Sequence, residues 1–396
     1  MLLPAGSTVD ASGSLGADLE TGKVFVKGEA AMAMCYRADH VGSLLRPAAL
    51  LEARGAYAEG RLGLDALRQA EDRAVLEAIQ LQRDVGLEIF TDGEYRRGSW
   101  LTDLADAVEG FVPDRVFLEW YGPGGGTEAS TARVVGAPLR QTRRLTAHEV
   151  AFLKAHAPGP IKMTVPCPSN YVIASYKPGV TEPVYPTREA LLHEITAIIR
   201  REIEALLAEG VAYVQLDAPF YAHYLDASAR EQLRASGVDP DQLCALSIAA
   251  DNACIAGLAR ADVALGLHIC RGNSRSRWYA QGGYEPIAER LFTEMAVDTF
   301  LLEYDTDRAG GFEPLRFVPP GKVVVLGLVT TKEPQLESPD ALRRRVDEAS
   351  RYVPLEYLAL SPQCGFASVA AGNLLSWDEQ RRKLELVVDT ARQIWA

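Results

Sequence analysis

Eight times along this chain a short apolar run ends in a polar cluster, and most of these runs lead into a helical pattern. The runs occupy residues 36–43, 87–94, 161–168, 212–219, 263–270, 299–304, 322–329 and 355–361. Between them, residues 64–85 place Leu67, Ala70, Ala74, Ala78, Leu81 and Val85 at three- and four-residue spacing, the signature of one helix face. Residues 187–209 do the same with Leu192, Ile195, Ile199, Ile203 and Leu206, and Gly210 supplies a stop. Pro47 opens a helix, and further helical patterns fall at 240–260, 284–295, 338–351 and 377–395. Continuously apolar strands alternating with amphipathic helices predict a parallel sheet covered on both faces. Eight such units without an internal linker predict an α/β fold of the (β/α)8, or TIM, barrel type over residues 35–396. The open doubly wound alternative lacks a Gly-x-Gly-x-x-Gly after its first strand. Residues 1–34 are small, polar and aperiodic and are expected to form a flexible arm. Residues 98–147 interrupt the alternation and are expected to be a surface excursion with β-hairpin character.

A barrel puts its chemistry at the C-terminal strand ends. There the sequence places Asp39/His40/Ser43, Asp92/Glu94, Asp217, His268/Cys270, Glu303, Thr330/Lys332 and Cys364. His268 and Cys270 are two residues apart, so on an extended strand they project to one side. An imidazole and a thiol together suit zinc. Six His and six Cys in 396 residues would produce such a pair by chance about one time in ten, so the pair alone is weak. Glu303 closes an apolar strand, where burial of a carboxylate is costly without a partner such as a metal, Arg308 or Lys322. Cys364 follows the eighth run. His268, Cys270, Glu303 and Cys364 therefore form a candidate nitrogen–sulfur–oxygen–sulfur zinc site on one rim.

Composition narrows the partners. The net charge is −12, and no basic run stands out, which argues against nucleic acid or an anionic membrane as a partner. No apolar run approaches the roughly 18 residues of a membrane helix. Six Cys spread over the chain do not make a disulfide framework, and the N-terminus lacks the basic start and apolar centre of a signal peptide. A cytoplasmic setting with reduced thiols is expected. The oligomeric state is left open.

From about residue 36 onward the chain resembles the catalytic domain of cobalamin-independent methionine synthases. His-x-Cys at 268–270, a strand-end Glu303 and Pro-x-Cys-Gly at 362–365 match that family's zinc pattern. Val41-Gly-Ser43 is similar to its Ile-Gly-Ser loop, Asp92-Gly-Glu-Tyr-Arg96 to its Gly-Glu motif, and Gln215-Leu-Asp-Ala-Pro219 to its Gln-Ile-Asp-Glu-Pro segment. The resemblance implies that Glu94 and Asp217 hold the amino group of a thiol amino acid and that Gly42 and Ser43 hold its carboxylate. It implies zinc as cofactor and a small-molecule thiol acceptor with an alkyl donor, most simply methyl transfer to homocysteine. The chemistry agrees: a free thiol is mostly protonated at neutral pH, and zinc deprotonates it.

The chain departs from the family pattern in three places. Full-length members carry a second, N-terminal barrel that this sequence does not contain. Their catalytic His in Asp-Ile-His-Ser-Pro is replaced in Val329-Thr-Thr-Lys-Glu-Pro334, where Lys332 stands, either as a catalytic group or as a contact for an anionic group. Their folate-stacking Trp has no counterpart; Tyr171 is the nearest aromatic. The donor is therefore open. Epoxyalkane:coenzyme M transferases, single-barrel relatives that open an epoxide with a zinc-bound thiolate, are the alternative. Arg271, Arg275 and Arg277 after Cys270 would suit their anionic thiol. A binding protein with a purely structural zinc is the non-enzymatic alternative. Of the remaining polar residues, His40 is expected to be structural, and His223 to lie either at the mouth or on the surface. Residues 278–284 are expected to form a lid hinged at Gly282-Gly283.

Overall fold

The apolar runs in the second half of the chain assemble into six parallel strands that are buried from end to end. In this computed structural model residues 16–18, 23–26, 33–260 and 262–396 are described. Lys162–Pro166, Tyr213–Asp217, Ala264–Ile269, Thr299–Glu303, Val323–Val329 and Leu358–Pro362 pair in chain order. They are the third to eighth barrel strands. Every residue in them is buried, as expected where helices cover one face and the barrel interior the other.

The first two strands are much shorter than the sequence suggests. Ala38 bridges Leu360, and Phe90 bridges Ile161, both in parallel. Paired backbone hydrogen bonds fix each contact: Asp39 N to Leu360 O at 2.9 Å and Leu360 N to Arg37 O at 2.9 Å, then Phe90 N to Pro160 O at 3.0 Å and Lys162 N to Phe90 O at 2.8 Å. Beyond these bridges the backbone leaves the β region at Gly42 (φ 134°), Gly93 (φ 69°) and Glu94 (φ 59°), so neither ladder can continue. His40 Nε2 hydrogen-bonds Ile89 O at 3.2 Å across the seam between these two segments, the structural role expected for it. The eighth strand also starts late, because Leu355–Tyr357 forms a 3-10 turn.

The barrel floor is filled by Cys35, Tyr36, Ile89, Tyr213, Leu301, Val323 and Val325, among others. A larger apolar core lies between strands and helices. One buried ion pair crosses the interior. Lys162 Nζ donates to Asp39 Oδ1 and His40 O, both at 2.7 Å, and lies 4.4 Å from the Tyr213 ring centre. Asp39 is thus spent on the fold. Gly266 makes room for Tyr213: a Cβ there would sit 2.7 Å from its hydroxyl.

Helices Leu64–Val85, Arg188–Ala208, Pro240–Ile255, Pro339–Ala349 and Trp377–Trp395 flank the strands. The Arg188–Ala208 helix starts where the Thr187 side chain accepts from Ala190 N and buries Leu192, Ile195, Ile199, Ile203 and Leu206. Trp377–Trp395 begins with a reciprocal cap between Ser376 and Glu379.

The excursion forms an antiparallel pair, Val108–Val112 with Val134–Gln141, and a hairpin, Phe117–Trp120 with Gly126–Ala129. Within residues 1–34 the strands Gly16–Asp18 and Lys23–Val26 pair antiparallel, and Lys23–Val26 pairs in turn with Ala33–Cys35. The rest of that segment, and with it the expectation of a flexible arm, lies outside the described residues. Among the described residues no helix is long and apolar enough to cross a membrane.

Candidate metal centre

The fifth strand delivers His268 and the eighth delivers Cys364. His268 stands in register with Asp217 on the fourth strand and Leu301 on the sixth. Cys270 follows one residue past the strand end, and Cys364 lies two past Pro362, where Gln363 N donates to Val329 O at 2.8 Å. The three residues are 2%, 2% and 5% exposed, so all are almost wholly shielded from bulk water. One ligand atom from each lies within 4.8 Å of the others. The Cys270 and Cys364 sulfurs are 3.7 Å apart. Both are free thiols, and two thiolates on a tetrahedral zinc would stand about 3.8 Å apart.

Neither ring nitrogen of His268 has a well-formed hydrogen bond, although both are buried. An imidazole left this way costs free energy that a metal ligand bond would recover. Burial opposes charge on His268, but the Cys364 thiol, Asp217 and Glu303 raise its pKa above the ordinary value. The Cys364 thiol falls well below its usual range, first because the Cys270 thiol donates to it and then through His268, against the effect of burial. The trio therefore favours a thiolate, the form a cation needs. The residues present fit a zinc ion.

Glu303 stands beside this group but outside the three converging atoms. Its Oε1 accepts from Arg308 Nε (3.1 Å) and Nη2 (2.9 Å), and its Oε2 accepts from Arg271 N (2.8 Å). Lys332 is buried. Its Nζ donates to Gly272 O and Asn273 Oδ1, both at 2.9 Å, and to Arg277 O at 3.4 Å. It pins the loop that carries Cys270. Asn273 and Asn373, which sequence reasoning missed, complete this brace. Asn273 Nδ2 donates to Gly365 O at 2.6 Å, and Asn373 Nδ2 donates to Asn273 Oδ1 and Thr331 O, both at 2.8 Å. They tie together the loops after the fifth, seventh and eighth strands. Uncharged amides in loops follow no periodicity, so no sequence pattern marks them.

Across the mouth, a Cβ on Gly42 would lie 3.1 Å from Thr164 Cγ2 and 3.5 Å from Glu94 Oε1. Ser43 packs so closely on Gly365 that any side chain there would strike its hydroxyl. Glu94 adopts a left-handed backbone that a non-glycine residue pays for. Its Oε1 accepts from Thr164 Oγ1 at 2.9 Å, while its Oε2 is buried without a partner. Burial raises its pKa, against the pull of Arg97. Asp217 Oδ1 accepts from Gln215 Nε2 at 2.7 Å. Burial lifts its carboxyl to about 7, with His268 opposing and Glu94 adding to the rise. Ser43, Glu94, Asp217, His268, Cys270 and Cys364 all line one cavity.

The excursion hairpin and the 271–284 loop cover that cavity. Tyr121 N donates to Trp278 O at 2.7 Å, and Trp278 N donates to Tyr121 O at 3.2 Å. Arg277 pairs with Glu128 at 2.7 Å. The Trp120 ring meets Tyr279 edge-on at 5.3 Å, and His223 lies 5.2 Å from the same Tyr279 ring. Arg271 donates to Gly282 O and lies 4.1 Å from the Tyr284 ring centre.

The architecture and the donor set agree with comparisons to other proteins. Residues 37–393 match the family described as cobalamin-independent synthase, catalytic domain. The uncharacterized protein YxjH of Bacillus subtilis is 36% identical over 368 residues, covering 91% of this chain and 95% of its own. A methionine synthase of Pyrococcus abyssi is 24% identical over 328 residues, covering 82% of this chain and 84% of that protein. The crystal structure of a putative vitamin-B12-independent methionine synthase from Listeria monocytogenes superposes with a TM-score of 0.70 at 28% identity, over 91% of this chain and 98% of that one. With its parallel α/β barrel and its buried His–Cys–Cys group at the C-terminal strand ends, this chain belongs to the family of cobalamin-independent synthase catalytic domains.

Proposed function

We propose that the protein transfers an alkyl group, most simply methyl, to the sulfur of a small amino thiol such as homocysteine. The observation that carries this reading is the pairing, in one cavity, of the buried His268–Cys270–Cys364 trio with the Glu94 and Asp217 carboxylates. Zinc held by these three residues, with Glu303 as a fourth ligand, would keep an incoming thiol as a nucleophilic thiolate. Two thiolates and a carboxylate around a divalent ion leave about one negative charge by addition, an electron-rich centre suited to thiol activation and not to making hydroxide.

The chain's own groups do the rest. Glu94 Oε2 and the Asp217 carboxylate receive the substrate ammonium, and that cation draws both carboxyls back toward their charged forms. The Gly42–Ser43 turn receives the substrate carboxylate. Lys332 serves as a positioning residue, holding the Cys270 loop through Gly272 and Asn273. The methionine synthase name of the archaeal relative supports the same acceptor. The coenzyme M alternative is less favoured, because Arg277 is paired with Glu128, the Arg271 guanidinium donates to Gly282 O against Tyr284, and Arg275 is exposed and outside the cavity lining. Two buried carboxylates suit an ammonium and repel a sulfonate.

The test is a thiol-consumption assay on zinc-loaded protein. Homocysteine and coenzyme M are each offered with methyltetrahydrofolate, methylcobalamin, a methyl sulfonium or a short epoxide, and products are read by mass spectrometry. Methylated homocysteine is expected, with coenzyme M left intact. Loss of neither thiol with any donor would refute the reading.

A further inference from the structure

One wall of the cavity has a character that the metal-ligand trio and the two carboxyls do not explain. Trp100, Phe220, Tyr279 and Trp120 line it as a continuous aromatic wall. Ring centres are 6.1 Å apart for Trp100–Phe220, 5.6 Å for Phe220–Tyr279 and 5.3 Å for Trp120–Tyr279. The charged side chains on the lining are also one-sided. Glu94, Asp217 and Glu128 contribute carboxylates, Glu128 being paired to Arg277, and among the described residues no Lys or Arg lines the cavity. Aromatic faces carry negative potential and attract cations, and desolvated onium groups gain most from this. The cation beside the wall, the Arg277 guanidinium 5.3 Å from the Trp120 ring centre, is already held by Glu128, so a donor carrying anionic groups would meet the Glu94 and Asp217 carboxylates and no unpaired cation among the lining residues.

From this wall and this charge we infer that the alkyl donor is a methyl onium compound, a sulfonium in particular, seated against Trp100, Phe220, Tyr279 and Trp120. The inference rests on the alkyl-transfer reading above. The acceptor sulfur, as thiolate, forms a bond to the donor methyl carbon while the S⁺–CH3 bond breaks. The electron pair of that bond stays on the departing sulfur, which leaves as a neutral sulfide. The acceptor's thiol proton has already gone to solvent, so the leaving group takes no proton from the protein. Lys332, whose Nζ is committed to the 272–277 loop, is not called upon.

The test has a binding arm and a turnover arm. Trimethylsulfonium is titrated into the metal-loaded protein without thiol, following tryptophan fluorescence, with tert-butanol as the neutral probe of similar size. Binding about tenfold tighter than tert-butanol is expected. It should be lost in Trp120→Leu and restored in Trp120→Phe, both at a half-buried position on the excursion hairpin, outside the barrel strands. In turnover, homocysteine plus trimethylsulfonium should yield methionine and dimethyl sulfide in equal amounts. Equal binding of the charged and neutral probes would overturn the inference. So would homocysteine methylation by methyltetrahydrofolate or methylcobalamin but not by the sulfonium, which would leave the alkyl-transfer reading intact. Selective sulfonium binding without methylation by any donor would sink the alkyl-transfer reading instead, and the onium donor with it.

Discussion

Asp217 and Glu94 place two carboxyls in a space with little water, where charging both is costly until a cation arrives. Asp217→Asn should therefore raise the KM for homocysteine by about thirtyfold, the equivalent of roughly 2 kcal/mol for a charged hydrogen bond. It should change the KM of the same thiol lacking its amino group by less than about threefold. Equal effects on both substrates would show that Asp217 does not hold the ammonium. His40 offers a second test, on stability. Burial, with the Lys162 ammonium adding to it, lowers its pKa to about 4, whereas the unfolded chain should titrate near 6.5. The unfolded state binds the proton more readily. The neutral imidazole's contribution is thus complete above pH 6.5 and is lost as pH falls toward 4, up to about 3 kcal/mol. The difference in unfolding free energy between the wild type and His40→Gln should shrink over that window. A difference independent of pH would refute the assignment. At this scale the sequence was most legible where chemistry forces an uncommon residue onto a strand end, as at His268 and Cys364. It was least legible for Asn273 and Asn373, whose partners lie between 42 and 100 residues away in the chain.

The elements around the site divide into rigid strands and a tethered cover. Gly122 sits at the joint of the cover with φ 93°, and a Cβ there would press into the Trp278 ring. Gly122→Ala should break the Tyr121–Trp278 bridge. Amide exchange at both residues is expected to rise at least about tenfold, while the Ala264–Ile269 strand keeps its protection. Unchanged exchange at Trp278 would show that the hairpin does not hold the 271–284 loop. Strands with unbroken apolar runs, such as Val323–Val329, are read from sequence because burial on both faces imposes that composition. The first and second barrel strands are located by their apolar runs, but their short extent is not read from sequence, because one bridge each suffices there. A turn through Gly42, Gly93 and Glu94 then overrides the local apolar pattern, and backbone conformation at a functional turn follows from its contacts and not from propensity. The excursion was legible as a hairpin through its glycines, but its partner, the 271–284 loop, lies about 150 residues away in the chain.

For the whole molecule, the eight-fold alternation was enough to specify a barrel, and the barrel specified where to look for chemistry. What the pattern leaves open is how strand-end groups divide between a metal and one another. Glu303, whose oxygens accept from Arg308 and the Arg271 amide beside the His268–Cys270–Cys364 group, shows why: its neighbours at the rim, and not its place in the chain, decide that division. The proposed function stands on a metal at this rim that takes a substrate thiol as ligand. The direct measurement is the absorption spectrum of the cobalt(II)-substituted protein before and after homocysteine is added. Sulfur-to-cobalt charge-transfer bands from Cys270 and Cys364 are expected in the resting protein, weakened in Cys364→Ser, with a further rise when homocysteine binds. Cobalt bands that homocysteine leaves unchanged would contradict it.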